Sequence, residues 1–284
     1  MMKTQSRINF LEIDSIPSLV KDFLADRYER FSPLNFKFEN IERQISQKSE
    51  SYSQAQRNIL TEVLGGQFQG LKLSERQKSN LEKLKNPDTF TVTTGHQLNL
   101  FTGPVFFIFK ILQTIKTAEF FAEKFPGRNF VPIFWMATED HDFAEINHFK
   151  TRQHHYEMRG AAGPPVGRLI IKDVNFISEF EKEFGDHVFG TELVRLLRDH
   201  YVPGRTLTEA TRGLVQAIFS NYGLLMLDGD DARLKAQMIP VFERELTGSR
   251  LQHTSRTTVA FLAESYKKVQ VNPREINLFY IEND

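Results

Sequence analysis

The most regular pattern of apolar and polar positions lies near the middle of the chain, in residues 89–148. Residues 89–94 are β-branched or aromatic and are bounded by proline and glycine, which predicts a strand. Residues 104–124 follow a helical pattern that begins at a proline and ends before Pro126-Gly127, and residues 130–136 form a second apolar run. A strand, a helix of about six turns and a second strand predict a βαβ unit with parallel strands.

A similar order of elements returns in the last third of the chain. Residues 208–222 predict a helix ended by a glycine, and residues 224–227 predict a short buried strand. A polar turn at residues 228–231 follows, and then a helical stretch at residues 232–245 that is interrupted at Pro240. Ligands of open parallel sheets bind beyond the carboxyl ends of the strands, so the polar segments that follow these strands mark the candidate site.

Helical patterns dominate the part of the chain that precedes the βαβ unit. Ser74 and Gln77 form a capping-box pattern at the start of one helix, and the glycines at positions 65 and 66 predict the end of another. The predicted helices span residues 16–30, 41–50, 54–64 and 74–84.

Residues 151–205 separate the two sheet-forming segments and therefore predict an inserted subdomain. Its first part, residues 151–167, is rich in Arg, His, Gly and Pro, as is typical of an exposed loop. A short strand is predicted at residues 168–172, and short helices are predicted at residues 176–184 and 191–201.

These elements predict an α/β fold with a parallel sheet. A last strand is predicted at residues 276–281, three residues before the chain ends. An apolar strand without a closing helix is unusual in such a domain, so we expect the polypeptide to be incomplete. The predicted parts are a helical N-terminal region at 1–88, the first half of the core at 89–150, the insertion at 151–205 and the second half of the core at 206–284.

Composition narrows the classes of partner. The chain has 36 Lys and Arg against 36 Asp and Glu, and the absence of a basic excess predicts no nucleic-acid partner. It has no cysteine, and therefore no disulfide, no thiolate metal ligand and no cysteine nucleophile. The N-terminus lacks the apolar core of a signal peptide, and no stretch reaches about 18 apolar residues, which predicts a cytoplasmic protein without a membrane partner.

The first polar segment combines glycines with the start of a helix. Gly95, His96 and Gln97 follow the first strand, and Gly103 precedes the helix. Glycines let a backbone approach a ligand closely, and a helix N-terminus offers free N–H groups to an anion. A phosphate or carboxylate could bind there, with His96 as donor or acid and Lys110 within reach. The alternative is that the glycines only form turns, since the spacing is neither a Walker loop nor a GxGxxG fingerprint.

The second polar segment places six ionisable side chains within ten residues. They are Glu139, Asp140, His141, Asp142, Glu145 and His148. On a helix, His141, Glu145 and His148 would share a face and could bind Zn²⁺ or Fe²⁺. Alternatively, Asp140 and Asp142 could hold Mg²⁺ beside a nucleotide, or one carboxylate could act as a general base or bind a substrate ammonium group. A solvated loop with a helix cap is the plainest alternative.

Two further clusters follow. Asp228 ends the third strand and is expected to point into the cleft, while Asp230 or Asp231 is expected to cap the next helix. A basic cluster in the inserted segment could contact an anionic substrate, although a solvated loop is the simpler explanation. Its members are Arg152, His154, His155 and Arg159.

Four segments carry a resemblance when they are taken together in order. They read TTGHQLNLFTGPVFFIFK, VPIFWMATEDHDFAEINHF, LLMLDGDDARLK and VNPREINLFYIE. In this order they resemble the BshC family, the cysteine ligases of bacillithiol biosynthesis. In many members of that family the first motif reads TGQQ-x-GL-x-x-GP, so His96 and Asn99 stand here in place of a glutamine and a glycine. Family members are longer and continue into a helical coiled-coil region associated with dimerisation.

The resemblance implies a Rossmann-like parallel-sheet core, with a helical N-terminal region and an inserted, connecting-peptide-like subdomain. It implies that cysteine is added to glucosaminyl malate in the last step of bacillithiol assembly. Those two small molecules would be the partners, and the full-length form would be a homodimer. ATP is the candidate cofactor if a carboxyl group is activated, and no metal ligand is assigned.

Residue roles follow from combining the resemblance with placement at strand ends. The turn at residues 95–104 would take an anion, and Glu139, Asp140 and Asp142 would orient the cysteine ammonium group or a metal. The predicted catalytic residues are His96, Asp140, His141 and Asp142. The predicted substrate- or nucleotide-binding residues are Thr94, Gly95, Gln97, Asn99, Gly103, Lys110, Glu139 and Asp228. The rival hypotheses are a non-catalytic nucleotide- or sugar-phosphate-binding module, an inactive fragment, and a metal-dependent hydrolase.

Overall fold

The computed structural model describes residues 8–28, 37–160, 163–266, 269, 271–278 and 280. These residues fall into two units. The larger unit contains Ser53–Met238, and the smaller one contains the described residues of 1–52 and 239–280. The four-part division that the sequence suggests stays a prediction.

The larger unit is built on a three-stranded parallel sheet. Its strands are β1 (Thr89–His96), β2 (Asn129–Met136) and β5 (Leu225–Asp228), in the order β1-β2-β5. The last residue of β1 pairs with the last residue of β2, which pairs in turn with the last residue of β5. The three carboxyl ends therefore meet at one edge of the sheet.

Helix α5 (Phe106–Lys124) connects β1 to β2, which confirms the predicted βαβ unit. Its buried Phe107 meets Phe134 of β2 edge to face, with ring centroids 5.2 Å apart. Strand β2 is buried along nearly all of its length, as expected of a central parallel strand. Pro132 lies just before the first pair between β2 and β5, so its missing N–H does not interrupt that ladder.

Helices α3 (Gln54–Gln67) and α4 (Glu75–Lys83) also pack against this sheet. Both begin with a capping box, and the predicted one between Ser74 and Gln77 is confirmed. The remaining elements of the unit are α6 (Phe143–Ile146), β3 (His148–Lys150), β4 (His155–Glu157), α7 (Asn175–Phe184), α8 (Gly190–His200), α9 (Leu207–Phe219) and α10 (Ala232–Ala236). Strands β3 and β4 form an antiparallel pair.

The smaller unit is helical. It contains α1 (Ser18–Leu24), α2 (Phe38–Ser51), α11 (Ile239–Gly248) and α12 (Arg250–Ser265). The buried Glu245 accepts hydrogen bonds from the Leu251 backbone N–H at 2.8 Å and from Asn277 Nδ2 at 2.8 Å. Tyr266 donates to Asp22 at 2.7 Å. These bonds hold the segments of this unit together. Within the described ranges, no helix is both long and apolar enough to cross a membrane.

Two predicted helix ends are wrong. Helix α3 continues through the glycines at 65 and 66, because Leu64 and Phe68 on either side are buried in the core and outweigh the low helix propensity of glycine. The first predicted helix is shorter than residues 16–30, since α1 ends at Leu24 and Asp26 adopts a left-handed conformation with φ 53°. Residues 29 and 30 lie outside the described residues. The helical stretch is interrupted as predicted, but at residues 237–238 instead of at Pro240, which lies in the first turn of α11.

The predicted strands and loop of the later segments also need correction. Residues 168–172 form no strand, and Ile170 makes only a single bridge, to Thr206. The predicted loop 151–167 contains β4, whose buried Tyr156 stacks on Phe149 with centroids 4.9 Å apart. Residues 276–278 and 280 are not part of a strand, and residues 279 and 281 lie outside the described residues. An apolar run forms a strand only where a neighbouring strand completes its hydrogen bonds.

Candidate active site

The carboxyl ends of β1, β2 and β5 bring together most of the polar segments that the sequence singles out. His96 pairs with Met136, and Met136 pairs with Asp228, so the segments that follow these residues share one edge. Two groups of hydrogen-bonded side chains occupy that edge. One is centred on Asp140 and the other on Asp228.

Asp140 is the central acceptor of the first group. Its Oδ2 accepts a hydrogen bond from Gln97 Nε2 at 2.8 Å, and the same nitrogen donates to Glu145 Oε2 at 2.8 Å. Its Oδ1 accepts from the backbone N–H groups of His141 at 2.7 Å and Asp142 at 3.3 Å. Burial alone would raise the pKa of Asp140, but these donors outweigh it and hold the pKa below its ordinary value. The carboxylate is therefore ionised at neutral pH and fixed in orientation.

Asp228 is held by a second set of contacts. The Thr138 hydroxyl donates to its Oδ1, and the backbone N–H of Asp230 donates to the same oxygen at 3.0 Å. Arg212 Nη2 lies 3.5 Å from Oδ2, and burial lowers the pKa of this guanidinium while Asp228 opposes that change. Gln67 fixes the backbone, since its side-chain amide exchanges two hydrogen bonds with Asp228, at 2.9 and 3.0 Å. The Asp228 carboxylate is thus placed beside a largely buried positive charge.

Glu139 lies beside the group centred on Asp228. Its Oε1 accepts from Trp135 Nε1 at 3.3 Å, and its Oε2 lies 3.5 Å from the hydroxyl of Thr138. A Cβ atom at Gly229 would lie 2.6 Å from the Trp135 ring and 3.0 Å from Glu139 Oε2. Only a glycine therefore lets the turn after β5 come this close to the tryptophan.

Asp230 and Asp231 bind cations and cap a helix in the segments around the edge. Asp230 binds Arg168 in bidentate fashion, at 2.6 Å to Nε and 3.1 Å to Nη2, and also contacts Lys235. Burial would raise the pKa of Asp230, but the two cations outweigh it and lower the pKa. Asp231 accepts from the backbone N–H of Arg233 at 2.9 Å and caps α10. This confirms one of the two caps that the sequence left open.

His96 lies among aromatic rings at the end of β1. Its ring centroid is 5.2 Å from that of Phe106 and 5.1 Å from that of Phe107. Burial lowers the pKa of the imidazole, and the nearby Lys110 ammonium lowers it further. Nδ1 lies 3.1 Å from the Gln97 carbonyl oxygen. The ring is therefore neutral at pH 7.

Lys110 contacts the end of strand β1. The Nζ of Lys110 donates to the Gly95 carbonyl at 2.6 Å and so ties α5 to the end of β1. Thr94 is half-buried and lies opposite Phe134 in the ladder. One of the three N–H donors of Lys110 is therefore occupied, and its contact with a bound anion stays a prediction.

The turn before α5 has an unusual backbone. Phe101, Thr102 and Gly103 have φ angles of 45°, 68° and 57° in succession. Positive φ is uncommon outside glycine, so this turn is strained. A Cβ atom at Gly103 would lie only 2.6 Å from Asn99 Cβ. Asn99 is itself buried, and its Oδ1 has no hydrogen-bond partner among the described residues.

His141 and Asp142 differ from the other predicted catalytic residues. The His141 side chain is 82% exposed and its Nδ1 lies 3.6 Å from Asp140 Oδ1. Asp142 caps α6 by accepting from the Glu145 backbone N–H at 3.2 Å. Helix α6 is one turn long, begins after His141 and ends before His148. The predicted metal-binding helix face of His141, Glu145 and His148 therefore does not form. No group of three or more His, Asp or Glu side chains in the described part of the chain is arranged to hold a metal ion.

The predicted basic cluster is divided between two places. His154 Nδ1 lies 2.7 Å from Glu183 Oε2, and the Tyr156 hydroxyl donates to the same oxygen. The ring of His155 lies against that of His148, with centroids 4.8 Å apart. Arg159 instead lines a separate pocket beside the sheet edge.

Comparison with known protein families shows which family the chain belongs to. Residues 7–284 match the family model described as "Bacillithiol biosynthesis BshC, N-terminal Rossmann-like domain". The chain belongs to this BshC family. The match confirms the predicted α/β class with a Rossmann-like parallel-sheet core.

Three relatives named "Putative cysteine ligase BshC" show the extent of the similarity. The protein of Flavobacterium johnsoniae is 41% identical over 271 residues, which cover 94% of this chain and 50% of the relative. That of Flavobacterium psychrophilum is 40% identical over 97% of this chain and 52% of its own length. That of Cytophaga hutchinsonii is 35% identical over 98% of this chain and 51% of its own length. The chain spans about half the length of these relatives.

Several residues of the edge in this BshC-family chain were missed by sequence reasoning. Gln67 and Arg212 reach Asp228 from positions 161 and 16 residues away, and neither belongs to a motif. Arg168 was assigned to a strand rather than to the site. Trp135 offered a signal, because it is the single tryptophan of the chain and stands shortly before the acidic segment.

The half-buried His96 predicts a pH-dependent stability. An imidazole whose folded pKa lies below its unfolded pKa stabilises the native state in its neutral form. This stability is complete above about pH 6.5 and is lost as the pH falls from there toward the folded pKa. We expect the difference in Tm between about pH 7.5 and about pH 5.5 to be smaller in His96→Gln than in the parent protein.

The control for this comparison is built into the chain. His200 also has a pKa lowered by burial, and it is present in both proteins, so its contribution cancels in the comparison. Differential scanning calorimetry at the two pH values gives the four Tm values. An equal Tm difference in both proteins would contradict the lowered pKa and the neutral state of His96 in the folded protein.

Proposed function

We propose that this chain supplies the sheet-edge site of a cysteine ligase that joins cysteine to glucosaminyl malate in bacillithiol biosynthesis. The observation that carries the proposal is the pair of oriented carboxylates, Asp140 and Asp228, at the carboxyl edge of a BshC-family sheet. Cysteine and glucosaminyl malate are the proposed small-molecule partners. A homodimer is proposed only for the longer family protein, and a cytoplasmic location is proposed as the place of the reaction.

The acidic edge suits the amino groups of these substrates. Cysteine carries an ammonium group, and the sugar amine of glucosaminyl malate is also protonated at neutral pH. The side-chain nitrogen of Gln97 donates a hydrogen bond to the carboxylate of Asp140 and another to that of Glu145. The two carboxylates therefore lie close enough together to face a single ammonium group. The low pKa of Asp140 makes it a weak base, and its role is therefore to bind and orient the ammonium group rather than to remove its proton.

Position 96 is assigned a binding role. The neutral imidazole of His96 can accept a proton, but many members of the family that the first motif resembles carry glutamine at this position. Glutamine can form hydrogen bonds and cannot transfer a proton at neutral pH. We therefore propose that His96 shapes the end of β1 and contacts substrate, and that it does not act as the general base.

ATP remains the candidate cofactor because amide formation requires an activated carboxyl group. The described edge does not offer the basic surface that a triphosphate prefers. Its predicted phosphate contact, Lys110, donates a hydrogen bond to the Gly95 carbonyl, and the carboxylates of Asp140 and Asp228 place negative charge at the same edge. We therefore assign no step of amide formation to a bound nucleotide.

The proposal is tested with purified protein, cysteine, glucosaminyl malate and ATP, with bacillithiol quantified by mass spectrometry. Two proteins are compared, this chain alone and this chain joined to the C-terminal half of the Flavobacterium johnsoniae relative. We expect bacillithiol from the joined protein, with product from the short chain too if the site is complete within it. Failure of both folded proteins to form product would overturn the proposed function.

A further inference from the structure

A second feature of the larger unit lies beside the acidic edge. It is a pocket of about 260 Å³ whose rim carries Arg159, Arg168 and Lys172. Its floor is apolar and includes Phe143, Met158 and Ile171. The pocket therefore offers positive charge above a surface that suits a short carbon chain.

The three cations of the rim differ in whether a carboxylate of the protein already pairs with them. Arg168 is engaged by Asp230 through two hydrogen bonds. Arg159 and Lys172 form no ion pair with a carboxylate of the described residues. The nearest acid in the chain to Lys172, Asp173, accepts a hydrogen bond from the Asn175 backbone N–H at 2.9 Å. Two positive charges of the rim are thus available to a ligand.

The pocket is joined directly to the acidic edge. The backbone N–H of Val166 donates to the Asp140 carbonyl at 2.7 Å, and that of Gly167 donates to the Thr138 carbonyl at 2.9 Å. A Cβ atom at Gly160 would lie 2.6 Å from the ring of Phe143 in the pocket floor. The segment that contains Val166 and Gly167 is therefore hydrogen-bonded to the backbone that follows β2, and residues on both sides of it line the pocket.

We propose that this pocket binds the dicarboxylate end of the acceptor substrate. The inference rests on the proposed function, since the malate part of glucosaminyl malate carries two carboxylates and the sugar carries an amine. Arg159 and Lys172 match the two negative charges, and the apolar floor takes the carbon chain between them. Phosphate shares the charge but has no carbon chain for the floor.

The test is a titration of the chain with L-malate, followed by NMR, in the absence of cysteine and nucleotide. The double variant Arg159→Gln/Lys172→Gln removes both free charges and keeps the ion pair of Arg168. The matched control is Lys182→Gln/Arg195→Gln, which removes two exposed cations that do not line the pocket. We expect malate to bind at least about tenfold more weakly to the first variant and equally well to the second. Inorganic phosphate is titrated as a competitor.

The possible results separate this inference from the proposed function. Absence of saturable malate binding, equal binding to the pocket variant, or tighter binding of phosphate than of malate would overturn the pocket assignment. Bacillithiol formation combined with any of those results would leave the proposed function in place. Malate binding through Arg159 and Lys172 without bacillithiol formation would retain the pocket and overturn the ligase.

Discussion

Asp140→Asn is expected to lower kcat/KM for bacillithiol formation by at least about a hundredfold, because it removes the charge that holds the substrate ammonium group. Asparagine keeps the size of the side chain, but its amide group turns a donor toward Gln97 or toward the backbone N–H groups of His141 and Asp142. The measurement is the rate of product formation by the protein joined to a family C-terminal half.

The control for this substitution is Asp186→Asn. Asp186 is exposed, lies in the connection between α7 and α8, and is remote from the sheet edge in the chain. We expect this control to keep the parent rate. A rate for Asp140→Asn within twofold of the parent, in a protein with an unchanged circular dichroism spectrum, would contradict the role of Asp140.

Gly103→Ala is expected to lower the free energy of unfolding by about 2–4 kcal/mol. One part of this cost is the positive φ of 57°, which alanine adopts poorly. The other part is the contact of the new methyl group with Asn99 Cβ at 2.6 Å. Because this turn leads into α5, the same change would disturb the position of Phe106 and Phe107 around His96. Urea denaturation gives the free energy of unfolding.

Gly127→Ala separates these two contributions. Gly127 also has a positive φ, 89°, but a Cβ atom there would meet nothing within 4 Å. We therefore expect Gly127→Ala to show the cost of a positive φ without a steric contact, and a clearly smaller loss of stability. Adding Asn99→Gly to Gly103→Ala should recover part of the loss, because it removes the atom that the methyl group meets. Equal losses for the two single alanine variants would show that the contact with Asn99 has no energetic weight.

The core of the sheet was predictable because its signals are local. Proline, glycine and β-branched runs identify β1, α5 and β2 to within two residues, and the strand predicted at residues 224–227 corresponds to Leu225–Asp228. Placement at the ends of parallel strands also predicts that Gln97, Asp140 and Asp228 lie at one edge of the sheet. These predictions require only the period of the pattern and the direction of the strands.

The errors arise where distant packing or side-chain capping decides the outcome. The glycines at 65 and 66 remain helical because their neighbours Leu64 and Phe68 are buried. The expected metal-binding face fails because Asp142 starts its helix one residue after His141. Gln67 and Arg212 could not be found from motifs, since their place at the edge follows from how α3 and α9 pack in the folded unit.

The most direct test of the central claim is complementation of a bacterial strain that lacks the last step of bacillithiol synthesis. The strain would express either this chain alone or the chain joined to the C-terminal half of a relative, and bacillithiol in the cells would be quantified by mass spectrometry. The account predicts that bacillithiol returns with the joined protein and that Asp140→Asn in the same protein prevents its return. Absence of bacillithiol with the joined parent protein, when that protein accumulates in folded form, would contradict the account.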